Sequence, residues 1–393
     1  MCSKSLRIAY LCDQSPLDRN LYSGGNARMY DALCKHAGDV TILGKSWHAA
    51  EPFRRLIEAA PESVNLRARW RAHLALARLI ARGVRAELAA GDFDVVFGAY
   101  SFQSLFRLAA PKHLVTAFTS DATQTIYRTS EIGKAFESQF PGGRVLDGWI
   151  ESCEQAVFQS CDLLFWPSSW LRDAAVERYA LDPKHNHMIP WGANIERPPT
   201  PGIREISETA PARLLLIGRD WFAKGGPLAF ETMMALRARG VDAMLTVIGC
   251  VPPEFHVNDW VTVHPSLDKS VPEQMSQFND ALAPAHFMVQ PSYESYGFAF
   301  CEASAHGLPS LCFQVGGVPV FDGRNGHTLP TGSPATDFAS IISWYLRDPE
   351  AYAALALRTR EEYETRLNWD AWGRSVAGLL NQEVARKRHP RPS

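Results

Sequence analysis

A chain of 393 residues is long enough for two domains with separate hydrophobic cores. Its 46% hydrophobic and 21% charged content is that of an ordinary globular protein, and a formal charge of −2 gives no general reason to expect nucleic acid. The eight cysteines are scattered without a C-x-x-C and the twelve histidines form no H-E-x-x-H, so the pattern points to reduced thiols in a cytosolic protein rather than a disulfide framework or a zinc site. Lys4 and Arg7 precede an apolar run that stops at Asp13, too short for a signal peptide, and no run approaches the roughly 18 apolar residues of a membrane span.

Leu6 to Cys12 reads as a buried first strand. The long loop Asp13 to Gly25 ends in Ser23-Gly24-Gly25-Asn26, ahead of an apolar-periodic helix from Ala27 to His36. Two glycines at a helix start, Gly24 and Gly25, let the backbone approach a phosphate or sugar closely; a flexible turn is the alternative. The spacing is not the G-x-G-x-x-G of a nicotinamide enzyme. Val40 to Leu43 is a second strand. Residues Phe53 to Ala90 are largely helical and rich in arginine (Arg54, Arg55, Arg67, Arg69, Arg71, Arg78, Arg82, Arg85), with an apolar stripe of Leu66, Trp70, Leu74, Ala77 and Ile80. A basic amphipathic helix suits an anionic membrane surface or the solvated face of a core helix, and Glu58, Glu62 and Glu87 dilute the charge. Asp92-Phe93-Asp94 precedes the strand Val95 to Gly98 and reads as a helix-to-strand turn.

His113 to Thr119 is the next strand, and Asp121 follows it in Ser120-Asp121-Ala122-Thr123. An acidic residue just past a strand's carboxyl end faces the ligand crevice of an open α/β sheet, which makes Asp121 a site candidate. Gly148 to Ser160 is a helix, Asp162 to Trp166 a strand, and Ser168 caps a helix from Trp170 to Tyr179. Arg197 to Ala212 is rich in Pro, Thr and Glu without periodicity and reads as a linker. The pattern predicts domains over 1–196 and 213–367, joined by 197–212, with a last helix and basic tail over 368–393.

The second domain opens with the strand Leu214 to Ile217. Gly218 and Arg219 follow, and then Lys224-Gly225-Gly226-Pro227, with Pro227 suited to a first helical position. A cation pair and two glycines thus share one strand-to-helix loop. The strand Ala243 to Ile248 ends at Gly249. Val261 to His264 is a strand, Pro272 to Leu282 a helix, Phe287 to Gln290 and Leu311 to Phe313 strands, and Phe338 to Leu346 and Ala351 to Arg366 helices. Such βα alternation predicts a parallel sheet covered on both faces. The last helix, Asp370 to Ala385, precedes Arg386-Lys387-Arg388-His389. Between Gln290 and Gly307, a polar loop, Tyr293 to Gly297, leads into a short apolar helix closed by Gly307 and Pro309. Glu294 lies in the loop and Glu302 about one turn past Phe298. A carboxylate accepts two hydroxyl hydrogen bonds at once, which suits a ribose diol or a hexose, and the helix start beside Gly297 suits an anion. Two solvated glutamates are the plainer alternative.

ESYGFAFCEASAHGLPSL, from Glu294 to Leu311, resembles the E-x7-E region of retaining glycosyltransferases of family 4, with matches continuing through Gly316, Gly317 and Asn325-Gly326. The likeness spans nearly the whole chain, densest from Ile217 to Asn381 and weakest from Trp47 to Ala90. It implies an α/β chain of the GT-B fold: two Rossmann-like domains facing across a cleft, with the last helix crossing back to the first. It further implies that Glu294 contacts the donor sugar, Glu302 the ribose, and Arg219 and Lys224 the donor diphosphate. Gly24-Gly25 would lie near that diphosphate, and Gly249, Tyr296, Gly297 and Phe298 would complete the donor site. The family's His-Asp is Ser120-Asp121 here, which leaves Asp121 on the acceptor side without the histidine. Trp191 stands where the family's P-N-G segment has Asn. The D-x-D of the other large glycosyltransferase fold follows a strand, whereas Asp92 and Asp94 precede one.

The resemblance implies a metal-independent, retaining hexosyltransferase of polysaccharide biosynthesis. It would take a nucleoside-diphosphate sugar as donor and a glycan, lipid or small molecule as acceptor. No cofactor is expected, and neither is nucleic acid. The expected location is the cytoplasm, with peripheral contact at the inner face of the membrane an open reading. A GT-B epimerase or phosphorylase and a catalytically silent donor-binding subunit stay open as alternatives.

Overall fold

The computed structural model describes residues 5–19, 21–43, 47–59, 70–135, 146–195, 198, 200, 202, 204–269 and 271–389. Cys2, Lys4, Glu62, Leu66, Arg67, Arg69 and Arg197 lie outside them. The chain divides into two compact units. Met1–Pro190 and Trp369–Ser393 form the first, and Trp191–Asn368 the second.

The first unit is built on six parallel strands: β1 Leu6–Leu11, β2 Gly38–Ile42, β3 Val95–Ala99, β4 Val115–Thr119, β5 Leu163–Trp166 and β6 Asn186–Met188. Their order is β2-β1-β3-β4-β5-β6. β3 and β5 are buried along their whole length, the mark of parallel strands covered on both faces. The chain runs outward from β1 to β2 and then returns to β1's other side with β3, Ile8 pairing with Val95 and Leu11 with Gly98. This reversal is the sheet's switch point, where open α/β sheets bind ligands outside the carboxyl ends of the strands.

The second unit repeats the plan with β7 Ala212–Ile217, β8 Ala243–Ile248, β9 Val261–His264, β10 Phe287–Val289, β11 Ser310–Phe313 and β12 Gly326–Leu329, all parallel. The order β12-β11-β10-β7-β8-β9 puts the switch point between β7 and β10. The core under it combines Leu215, Met288, Phe300, Leu308 and Cys312.

Most expected elements are present within a residue or two, including the helix Ser169–Tyr179, whose Ser168 cap accepts from the Leu171 N–H. Among the described residues, two α-helices and two strands had no expectation. The short helices Gln124–Thr129 and Glu131–Ala135 follow Asp121. β6 and β12 are short and polar edge strands. β12 exists through its neighbour: Gly326 lies so close to β11 that a Cβ there would sit 1.9 Å from the Ser310 carbonyl oxygen. Part of the expected linker is tied to the second unit, where the Arg204 guanidinium donates to the carbonyls of Ala283, His306 and Gly307.

The basic tail expected at Arg386–Arg388 is instead the last turn of the helix Trp369–Arg388. Lys387 Nζ reaches the Leu114 carbonyl and Asp162, each at 2.7 Å, and Arg388 pairs with Asp94. The other end of this helix is tied by Asp370 to Lys35 and His36, each at 2.7 Å. The helix is therefore an integral part of the first unit.

Candidate functional site

At the second unit's switch point, glycines set the geometry. β7 runs out at Ile217, and a turn carries the chain through Arg219 and Lys224 to Gly225, which caps the helix Gly226–Ala238 with φ +75°. A Cβ on Gly225 would stand 2.4 Å from the Pro291 carbonyl oxygen, so only glycine lets this loop lie against the one leaving β10. Gly249, at the end of β8 with φ +97°, packs on Gly218 in the same way, at 2.8 Å. The stem of Lys224 crosses Gly218, where a Cβ would fall 2.2 Å from its Cγ. Its ammonium forms an ion pair with Glu294. Glu294 Oε1 also accepts from Ser292 Oγ at 3.0 Å and Gln290 Nε2 at 3.4 Å. Residues expected to serve separately, Lys224 for phosphate and Glu294 for sugar, are therefore one charged pair. Arg219, on the same loop as Lys224, is exposed and has no ion-pair partner among the described residues.

Gly297, at φ +93°, caps the helix Phe298–Ala305 without a side-chain hydrogen bond, leaving the first helical N–H groups uncapped by a side chain. Glu302 lies within that helix and is buried, and its carboxylate accepts from Lys269 Nζ at 2.5 Å. The Lys269 ammonium also sits 4.5 Å from the centre of the Phe278 ring. Sequence reasoning passed over Lys269 because it carries no glycine, repeat or motif around it. Tyr296 lies in the loop just ahead of that helix. Its ring is buried, burial pushes its phenol well above the ordinary value, and its hydroxyl donates to the Trp191 carbonyl at 2.7 Å. Phe298 stacks on Trp191, the rings 5.7 Å apart and 9° from parallel.

The first unit's switch point is built from strained non-glycine backbone. Tyr22 and Ser23 are left-handed, with φ of 51° and 54°, and Gly24 follows at φ +87° as the cap of the helix Gly25–His36. Tyr22 Oη donates to Asp13 Oδ1 at 2.6 Å, and its ring stacks on Tyr100 at 4.1 Å. Tyr100, the first residue past β3, is itself left-handed. Burial raises its phenol, and the charge of the Asp121 carboxylate adds to the shift. The loop carrying Asp121 is fixed by Ser120 Oγ donating to the Ala122 carbonyl and by Thr123 capping the following helix. Behind it, buried Glu154 accepts from the Gln124 N–H at 2.6 Å and from Tyr179 Oη at 2.8 Å. Asp13, just past β1, was readable by the rule that picked out Asp121; Tyr22, Tyr100 and Glu154 carried no such signal.

Asp92 and Asp94 lie at the amino end of β3, opposite the switch-point loops. Asp92 pairs with Arg7, and Asp94 with Arg7 and Arg388. Among the described residues no helix is long and apolar enough to cross a membrane.

Two parallel α/β units, each with polar loops at its switch point, define a protein of the GT-B class. The chain belongs to glycosyltransferase family 4. The family's model, Glycosyltransferase Family 4, matches residues 26–197, and that of Glycosyl transferases group 1 matches 211–348. A D-inositol 3-phosphate glycosyltransferase of Corynebacterium kroppenstedtii is 23% identical over 61% of this chain and 57% of its own length. One of Arthrobacter sp. is 31% identical over 44% of this chain and 45% of its own. The chain thus spans roughly half of the length of these relatives. Sucrose-phosphate synthase from Thermosynechococcus elongatus shares the fold with a TM-score of 0.63 at 18% identity, covering 97% of this chain and 99% of that one. Anabaena HepE in complex with UDP and glucose does so with a TM-score of 0.58 at 14% identity, covering 96% and 100%.

Proposed function

We propose that the chain is a retaining glycosyltransferase that moves a hexose from a nucleoside-diphosphate sugar to a hydroxyl acceptor without a metal ion. The observation that carries this is the Lys224–Glu294 pair, with Arg219 on the same loop as Lys224, at the switch point of a family-4 chain. Cleaving the bond from the anomeric carbon to the diphosphate puts negative charge on the leaving phosphate and positive charge on the sugar. Arg219, Lys224 and the N–H groups at Gly297–Phe298 are the fixed donors for that phosphate. Removing one such donor commonly costs roughly 3–4 kcal/mol of barrier. In the ligand-free arrangement Lys224 is held by Glu294, so an arriving diphosphate and hexose share the pair between them, the ammonium turning to phosphate and the carboxylate to sugar hydroxyls. Glu302 is the ribose acceptor in this reading, with Lys269 balancing its buried charge. Asp121 serves the acceptor side, and no covalent intermediate on it is invoked.

Support for the donor class comes from the family and from the fold shared with HepE, whose structure holds UDP and glucose. Support for metal independence comes from the two cations at the β7 loop and from the arginines that hold Asp92 and Asp94. The test is calorimetric titration with a panel of nucleoside-diphosphate sugars, then turnover with and without chelator and the product's anomeric configuration by NMR. Binding of one donor, turnover unchanged by chelator and a retained configuration are expected. Binding of none of the panel overturns the reading. Loss of turnover under chelator overturns metal independence, and an inverted product overturns retention.

A further inference from the structure

The first unit carries a cavity lined by none of the residues assigned above to the transferase reading. It has a volume of about 250 Å³ and is lined by Leu74, Ala75, Arg78, Phe106, Arg107 and Trp149. These residues come from the helical stretch 70–75 and the start of the helix Ala77–Ala90, from the loop after β3, and from the first turn of the helix Asp147–Ser160. Its walls are of two kinds. Leu74, Phe106 and Trp149 are apolar, and Trp149 is exposed for 39% of its surface, unusual for so large a ring. Arg78 and Arg107 are exposed cations, and neither has a carboxylate partner among the described residues.

The placement of Arg107 is built rather than incidental. Its backbone is left-handed at φ +60°, as is that of Ala109 at φ +45°, a conformation that costs a non-glycine residue free energy and persists only where neighbours impose it. Arg85 imposes it here: its Nη1 donates to the carbonyls of Arg107 and Leu108 at 3.1 and 3.2 Å. The result sets the Arg107 guanidinium 5.2 Å from the centre of the Phe106 ring. Two guanidiniums lining one cavity repel each other unless an anion lies between them, and guanidiniums match phosphate oxygens in a bidentate way. Apolar walls beside that anion need an apolar substituent to cover them.

We propose that this cavity binds an anionic amphiphile, a phosphate group esterified to an apolar chain, with Arg78 and Arg107 on the phosphate and Leu74, Phe106 and Trp149 against the chain. The site is independent of the transferase reading. The same chemistry is found in an anionic lipid headgroup and in a free phosphate ester.

The test uses the full chain. Calorimetric titrations compare hexyl phosphate, inorganic phosphate and hexanol, and vesicle flotation compares phosphatidylglycerol with phosphatidylcholine. Variants are Arg78→Gln, Arg107→Gln, the double variant, and Arg82→Gln as a control on the same helix, exposed but outside the cavity. Hexyl phosphate is expected to bind at least about tenfold more tightly than either of its halves. Each cavity arginine variant should weaken it roughly tenfold, with unfolding midpoints unchanged and Arg82→Gln without effect. Capture by phosphatidylglycerol vesicles that the double variant abolishes assigns the lipid source; hexyl phosphate binding without vesicle capture assigns a soluble ester. The proposal is overturned if inorganic phosphate binds as tightly as hexyl phosphate, if nothing binds, or if Arg82→Gln weakens binding as much as Arg78→Gln.

Discussion

The two units share a sheet plan but build their functional loops from different backbone. In the second unit every described residue with φ in the left-handed region is a glycine, Gly225, Gly249 and Gly297 among them. Among the described residues of the first unit, seven that are not glycine adopt it: Tyr22, Ser23, His48, Tyr100, Arg107, Ala109 and Ala180. Glycine reaches that region with little strain, whereas an alanine or tyrosine there costs roughly 1–2 kcal/mol that its surroundings must offset. The second unit therefore presents its loops by residue type alone. The first holds its own by contacts such as Tyr22 with Asp13, Tyr22 on Tyr100, and Arg85 on the Arg107 turn.

The sharpest test of this division is Lys224→Ala. If the second unit's charged pair drives bond cleavage, the transfer rate should fall on the order of a hundredfold or more while donor affinity falls less. Rate and affinity both near wild type would make Lys224 a surface residue. The two glutamates come next. Glu302→Gln should weaken free nucleoside diphosphate and full donor alike, by roughly ten- to a hundredfold. Glu294→Gln releases Lys224, so the bare nucleotide should bind nearly as before while the sugar-bearing donor binds more weakly or transfers more slowly. Titrating both variants with nucleotide and nucleotide-sugar decides it; equal losses on the bare nucleotide would refute the division of labour.

Acid should separate the units by stability. Burial lowers His286 and His306 in the second unit to about 4, from an ordinary value of about 6.5. The unfolded chain takes up those protons first as pH falls, so the stability is present above about pH 6.5 and is lost between 6.5 and 4. At pH 5 the loss is at most about 2 kcal/mol for each histidine. In the first unit burial raises Glu154, which has the opposite sign: its folded form takes up the proton first. Half-buried His187 is lowered and offsets part of that difference. Hydrogen exchange followed by mass spectrometry at pH 7 and 5 should show protection falling more in β7 and β10 than in β1 and β3; the reverse order would refute the contrast.

Asp121→Asn probes the first unit's site without touching the second. Transfer should drop about tenfold, less than the roughly hundredfold or more that a general acid–base group supplies, with nucleotide affinity unchanged. Unchanged transfer would remove Asp121 from the site. The smallest effect is on backbone strain. Ala180 ends the helix Ser169–Tyr179 at φ +49°, where glycine is the usual residue. Ala180→Gly should stabilise the first unit by about 0.5 kcal/mol, the relief of strain less the extra entropy of an unfolded glycine. A loss of stability in chemical denaturation would show that the first unit's left-handed residues are not strained in the sense argued.

Sequence alone determined the βα alternation, nearly all the strands, and the candidate residues at the second unit's switch point: Gly218, Arg219, Lys224, Gly225, Glu294 and Gly297 on loops and Glu302 on a helix. Apolar runs, glycines and capping residues are local signals, and each can be read without knowing what lies across the sheet. Tertiary structure alone decided the partners. Lys224 meets Glu294 across 70 residues and Lys269 meets Glu302 across 33, because the strand order brings the segments that carry them together. The same holds for Asp94 under Arg388, for Glu154 behind the Asp121 loop, and for β12, a strand only because β11 lies beside it. The left-handed Tyr22 and Tyr100 were equally illegible. Local preference opposes that conformation in a tyrosine, and only contacts from distant parts of the chain impose it.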